Sequence, residues 1–117
     1  MHARTRFGSA GEDLAVEHLE QAGYRTIARN YRTKAGEIDI VALRGATLVF
    51  CEVKTRVGDR FGLPAEAVNR SKQARLRRLA AHWLAEHKPG PLDIRFDVVS
   101  VIVRDGNSEV THLPDAF

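Results

Sequence analysis

Charged residues stand inside what otherwise reads as the apolar centre of a β-sheet. The stretch Gly36-Glu37-Ile38-Asp39-Ile40-Val41-Ala42 alternates with period two, and after a tight turn Leu48-Val49-Phe50-Cys51-Glu52-Val53-Lys54 does the same. On that spacing Asp39, Val41 and Leu43 share one face of a first strand, and Leu48, Phe50, Glu52 and Lys54 share one face of a second. With Gly45-Ala46 as a two-residue hairpin loop, Arg44 faces Thr47, Asp39 faces Glu52 and Glu37 faces Lys54. Opposed residues have Cβ atoms only about 5 Å apart, and like charges there repel. Something cationic must compensate. A divalent ion such as Mg²⁺ or Mn²⁺, held by carboxylate and carbonyl oxygens and water, is one solution. A salt-bridge cluster is the other, with Lys54 neutralising Glu37 and Glu52 while Asp39 is solvated at a sheet edge. Ile38, Ile40, Val49, Phe50, Cys51 and Val53 surround the charges with core-forming residues. That favours the metal, because a buried charge costs several kcal/mol unless paired or liganded.

A third acid comes from upstream. Ser9 to Ala22 reads as an amphipathic helix, with Ser9 as N-cap, Glu12 completing a capping box and Gly23 as the C-terminal stop. Its apolar stripe is Ala15, Val16, Leu19 and Ala22, and Glu12 extends that stripe toward the sheet. Glu12 can therefore serve either the cap or the acid cluster.

The elements that must position these groups follow from punctuation and periodicity. Tyr24 to Arg32 reads as a strand, Thr33 to Gly36 as a turn into the Asp39 strand, and the hairpin follows. Arg56 to Pro64 carries glycine and proline breakers and reads as a loop. A helix from about Ser71 to His87 places Leu76, Leu79, Ala80, Trp83 and Leu84 on one face, and Lys88-Pro89-Gly90-Pro91 ends it. Leu92 to Val103 alternates as a strand, and a short final strand lies near Val110 after the Asp105-Gly106 turn.

That order, a helix with Glu12, a strand with Asp39, a strand with Glu52-Val53-Lys54, then a basic helix and another strand, resembles the PD-(D/E)XK nuclease superfamily. More closely, the chain is similar to the YraN-like family of uncharacterised bacterial proteins, which share likeness with archaeal Holliday-junction resolvases. The matching stretches are Gly11-Glu12, Gly23-Tyr24, Asn30-Tyr31-Arg32, Gly36-Glu37-Ile38-Asp39, Phe50-Cys51-Glu52-Val53-Lys54-Thr55-Arg56, Arg95-Phe96-Asp97-Val98-Val99 and Ala116-Phe117. Ile38 stands where the superfamily name has proline, and Cys51 where an aliphatic residue is common. The resemblance implies a single α/β domain over residues 1–117 with a restriction-endonuclease-like core. Its mixed β-sheet would be flanked by helices in the order αβββαβ plus a short final strand. It also implies metal-dependent hydrolysis of phosphodiesters in DNA, branched or structured DNA included. Asp39, Glu52 and the Val53 carbonyl would hold Mg²⁺ or Mn²⁺, Glu12 would bind through water or hold a second ion, and Lys54 would orient the attacking water. A non-catalytic nucleic-acid-binding domain on the same fold is the principal alternative, and an adaptor whose acids are merely salt-bridged is a third.

Composition agrees with one domain and an anionic partner. The chain has 117 residues, 44% of them hydrophobic, and a net charge of +3, with an isoelectric point near 9.4. Between Arg70 and Lys88 six basic residues face one acid, Glu86. Lys72, Arg75 and Arg78 lie along one side of that helix and could line a groove to phosphates, with Gln73 beside them at its start and Arg56 following the Lys54 strand. Nucleic acid, DNA first, is the expected partner, and a homodimer is compatible with the chain. Tyr24, Tyr31, Phe61 and Trp83 read as core or loop packing rather than base-stacking platforms. Asp97 reads as the salt-bridge partner of Arg95. A single cysteine excludes an intramolecular disulfide, and Cys51 reads as a buried small residue rather than a nucleophile. The histidines lack zinc spacing, and there is no phosphate-binding glycine loop and no nucleophile elbow. With no apolar leader and no membrane-length run, the expected location is cytoplasmic.

Overall fold

The computed structural model describes residues 3–58 and 69–117, with side chains described from residue 10 onward. The first helix, α1 (Ala3–Gln21), begins upstream of Ser9, so Ser9 lies inside the helix and cannot cap it. The capping box with Glu12 is thereby overturned. The expected stop is present: Gly23 takes φ +93°, and the Tyr24 amide closes back on the Leu19 carbonyl at 2.9 Å. Ala22 follows the last helical residue and is exposed, so the apolar stripe ends at Leu19.

Strands β1 (Arg25–Thr33), β2 (Gly36–Arg44) and β3 (Thr47–Val57) form an antiparallel meander. Arg44 faces Thr47 and Leu43 faces Leu48, as the two-residue hairpin loop requires. Helix α2 (Arg70–His87) then crosses over. It is capped by the Asn69 side chain, which accepts from the Lys72 amide at 2.9 Å. It ends at Lys88, whose φ of 44° turns the chain out of the helix. Strand β4 (Asp93–Arg104) pairs parallel with β3, and β5 (Asn107–Leu113) pairs antiparallel with β4. The result is a five-stranded mixed sheet in the order β1-β2-β3-β4-β5, with a helix on each face. The final strand is longer than the sequence suggests, at seven residues. Arg56 and Val57 belong to β3 rather than to a loop, and the rest of the expected loop, Phe61 included, falls largely outside the described residues.

Two apolar clusters sandwich the sheet. Ala15, Leu19 and Tyr24 pack with Ile40, Val49, Cys51 and Val99 on the α1 face. Leu76, Leu79, Ala80 and Trp83 pack with Ile38, Val41, Leu48 and Phe50 on the α2 face. Burial pushes the Cys51 thiol well above its ordinary value, so it is no nucleophile. Asp97 is fully buried. It accepts from Arg95 at 2.9 and 2.8 Å and from the Asp115 amide at 2.9 Å, with His112 Nε2 at 2.6 Å. The expected Arg95–Asp97 pair thus ties β4 to β5 and to the C-terminal segment.

The approach of α1 to the sheet depends on one glycine. A Cβ added at Gly11 would stand 1.9 Å from Thr55 Oγ1, a separation no real pair of atoms tolerates. Helix propensity alone favours Gly11→Ala by about 1 kcal/mol, whereas overpacking costs about 1–3 kcal/mol. Gly11→Ala is therefore expected to lower stability in urea unfolding. Most of that loss should disappear when Thr55→Ala removes the obstructing hydroxyl; an equal loss in both backgrounds would place the strain elsewhere.

Candidate active site

The ladder between β2 and β3 runs from Arg44–Thr47 to Ile40–Cys51 and stops there. Beyond that point β2 keeps its pairing with β1, through Ile38–Tyr31 and Glu37–Arg32. β3 keeps its pairing with β4, through Lys54–Ser100 and onward. The sheet forks at Asp39. In place of a ladder bond, the Val53 amide donates to the Asp39 carboxylate at 2.8 Å. In an extended strand the N–H and C=O of one residue point the same way, so the Val53 carbonyl also faces the fork. The expected cross-strand pairing of Asp39 with Glu52 and of Glu37 with Lys54 does not form, because the strands have already parted. Alternation slips at the same place: Ile38 belongs to the α2 cluster and Ile40 to the α1 cluster. Asp39 therefore does not simply continue the face of Val41 and Leu43. Opposite it on β1, Asn30 takes a left-handed φ of 54°.

The fork opens a cleft of about 770 Å³ reached by side chains from both layers. Glu12 enters from α1, Asp39 and Glu37 from β2, Glu52, Val53 and Lys54 from β3, and Lys72 and Arg75 from α2. Asp39 is 8% and Glu12 9% exposed. Burial and, next, the neighbouring Glu52 carboxylate push Asp39 up to about 7 against the opposing pull of the Val53 amide, with smaller upward contributions from Glu12 and Glu37. Glu12 is also raised, chiefly by burial, against the opposing pull of Arg29 and Asn30. Its Arg29 contact is long, at 3.7 Å, and its Oε1 is buried without a hydrogen-bond partner. Arg29 binds Asp13 instead, at 2.7 Å. The acid centre is thus short of positive charge.

Lys54 reaches Glu52 at 3.5 Å. Glu37 is held by Arg32 at 2.9 Å. Lys72 projects from the first turn of α2 beside Lys54, and the proximity of that second ammonium group lowers its pKa. Of the residues expected to meet phosphate, Lys72 and Arg75 line the cleft, while Arg56, Gln73 and Arg78 do not. Arg78 is exposed farther along α2. Arg32 and Thr33 line the cleft without having been expected to. The signal was available: a two-residue Lys34-Ala35 turn pairs Thr33 with Gly36 and Arg32 with Glu37.

Among the described residues, no three His, Cys, Asp or Glu side chains gather into a ligand set by themselves. The donor chemistry nevertheless fits a hard divalent cation. Mg²⁺ is commonly held by one or two carboxylates, with water and a substrate phosphate completing its shell. Asp39, Glu52 and the Val53 carbonyl supply oxygens of that kind, and the orphaned Glu12 Oε1 is a further acceptor at the same cleft.

Fold and cleft define a mixed α/β protein with a recessed acid centre at a sheet fork and cations at its rim. Among the described residues, no helix is long and apolar enough to cross a membrane. The chain belongs to the uncharacterised protein family UPF0102, whose model matches residues 11–101. It is 52% identical to a UPF0102 protein of Parafrankia sp. over the whole of both chains. A Frankia alni relative is also 52% identical, over 100% of this chain and 98% of its own. One from Mycobacterium marinum is 49% identical over 94% and 93% respectively.

Asp39 ionises at a cost to the fold. Its carboxyl sits at about 7 in place of an ordinary 3.8. Between those values the unfolded chain has released a proton that the folded chain keeps, so stability falls as pH rises. In chelator, the parent should therefore lose stability across that window relative to Asp39→Asn, on the order of a few kcal/mol. Melting temperatures of the two proteins should diverge toward neutral pH, and Mn²⁺ should narrow the gap. Parallel profiles would mean that Asp39 ionises freely.

Proposed function

We propose that this protein is a Mg²⁺- or Mn²⁺-dependent endonuclease of the PD-(D/E)XK type, acting on phosphodiesters in DNA, branched or structured DNA included. The observation that carries this reading is the recessed Asp39–Glu52 pair beside Lys54, in a cleft that Arg32, Lys72 and Arg75 also line. The restriction-endonuclease-like reading of the fold is supported by the element order and by the fork, where the acids fall at the point at which two strands separate.

Asp39, Glu52 and the Val53 carbonyl would hold the ion, with Glu12 contributing through water or holding a second ion. When bound, the metal neutralises charge at the phosphate and lowers the pKa of water. The chain's own groups do the rest. Lys54, anchored against Glu52, orients water toward the phosphorus and offsets charge as it builds on the phosphate oxygens. Lys72 and Arg75 hold the backbone in the cleft. The Val53–Asp39 bond fixes one acid so that little rearrangement accompanies reaction. A cytoplasmic location goes with such a substrate.

The lack of a closed three-residue ligand set among the described residues favours one rival, a nucleic-acid-binding domain that keeps the cleft without turnover. Lys54→Ala separates the two. In the nuclease it should cut single-turnover cleavage by roughly 10²-fold or more, while leaving Mn²⁺ binding and DNA affinity in Ca²⁺ nearly intact. In the binding domain there is no cleavage to lose. Parental cleavage by Lys54→Ala would exclude the proposed role of this lysine.

A companion measurement addresses the metal. The thermal shift of the parent on Mn²⁺ addition should vanish in Asp39→Ala and in Glu52→Ala. If both variants respond like the parent, the ion is not held by these carboxylates.

A further inference from the structure

The cleft has two cationic corners, one beside Glu52 and one where β2 begins. Lys54 and Lys72 occupy the Glu52 corner. Arg32 and Arg75, from β1 and α2, occupy the other, at Gly36–Glu37 where β2 begins. We infer that Arg32 and Arg75 together clamp one backbone phosphate of the bound strand, a second anion subsite flanking the acid pair. This rests on the nucleic-acid reading above and adds to it a defined contact beyond the reacting phosphate.

Local geometry prepares both side chains for that task. Arg32 donates through Nε to Glu37 Oε2 at 2.9 Å, which fixes the guanidinium plane and leaves the Nη donors to turn elsewhere. Its side chain is 70% exposed, so the ion pair adds little to stability. Its use lies in orientation, since a guanidinium held in place loses less entropy when it takes a phosphate. Arg75 arrives from above. Its stem crosses the β1–β2 turn at Gly36, where an added Cβ would come within 3.2 Å of Arg75 Cδ. Gly36 has φ +138° and no side chain, so it admits this crossing at the cleft wall. Two arginines from separate elements thus line one corner, at the adjacent residues Gly36 and Glu37, and Glu37 offsets at most one of their charges. Planar, multiply donating cations in that number match a phosphodiester better than a lone carboxylate partner.

Salt dependence reads the clamp directly, because the slope of log affinity against log salt counts neutralised phosphates, at about 0.7 each for a single strand. A short fluorescein-labelled oligothymidylate, titrated in Ca²⁺ at several salt concentrations, serves as the probe. If both arginines grip one phosphate, Arg32→Gln or Arg75→Gln should weaken binding while nearly preserving the slope. The double variant should lose about 0.7. The paired lysine variant, Arg32→Lys with Arg75→Lys, should bind more weakly at a near-parental slope. It guards against a folding defect in the glutamine pair.

Slope losses of about 0.7 in each single variant, adding in the double, would place the arginines on separate phosphates and overturn the clamp. Unchanged affinity and slope in all variants, with the parent binding, would remove this corner from the interface while leaving the nuclease reading in place. A parent that binds no nucleic acid would overturn both.

Discussion

One hydrogen bond organises this molecule: the Val53 amide donates to the Asp39 carboxylate where a strand carbonyl would ordinarily accept. Two strands cannot part inside a folded core without stranding backbone groups, and an unmade bond there costs about 1–3 kcal/mol. Asp39 removes that cost on the β3 side and lets the ladder end at Ile40–Cys51. The expense reappears as electrostatics, since the same carboxylate is now buried and pushed up to about 7. A sheet normally keeps its two helical layers apart. Here the fork joins them, which is why Glu12 from α1 and Lys72 from α2 line one cleft.

Depth sorts the charges in that cleft. Asp39 and Glu12 are recessed, at 8% and 9% exposure, whereas the Arg32 side chain is 70% exposed. A salt-bridged structural cluster would place its cations among the buried acids, because uncompensated charge is most costly there. This cleft does so only in part. Lys54 approaches Glu52, Arg29 stays 3.7 Å from Glu12, and Glu12 Oε1 finds no hydrogen-bond partner. The recessed acids, with one Glu12 oxygen unsatisfied and cations nearer the opening, are the arrangement on which the proposed metal and polyanion sites rest.

Much of this was legible in the residues. Period-two alternation and the Gly45-Ala46 loop gave the β2–β3 hairpin in its observed register, and the apolar spacing of α2 gave its buried face. The bound of α1 was missed because Ser9 has the chemistry of a cap but the helix passes through it. The error of most consequence was extending the hairpin register past Cys51. Local pattern carries no sign that a ladder ends, since the cause is a long-range bond between a side chain and a backbone amide. That same error set Glu37 across from Lys54 on β3 and drew attention away from its partner on β1, Arg32, and so hid the arginine corner. Charge periodicity along α2 picked out Lys72 and Arg75, which line the cleft, together with Arg78, which does not.

Glycines, not charges, set how closely the cleft can be assembled. Gly11 lets α1 lie against Thr55, and Gly36 lets the stem of Arg75 cross the β1–β2 turn. A methyl at the first would push α1 outward and carry Glu12, the next residue, away from the fork. A methyl at the second would displace Arg75 and leave Arg32 alone at its corner. The two glycines therefore hold opposite walls at fixed separations from the Asp39 fork, and the placement of acids and cations follows from those separations.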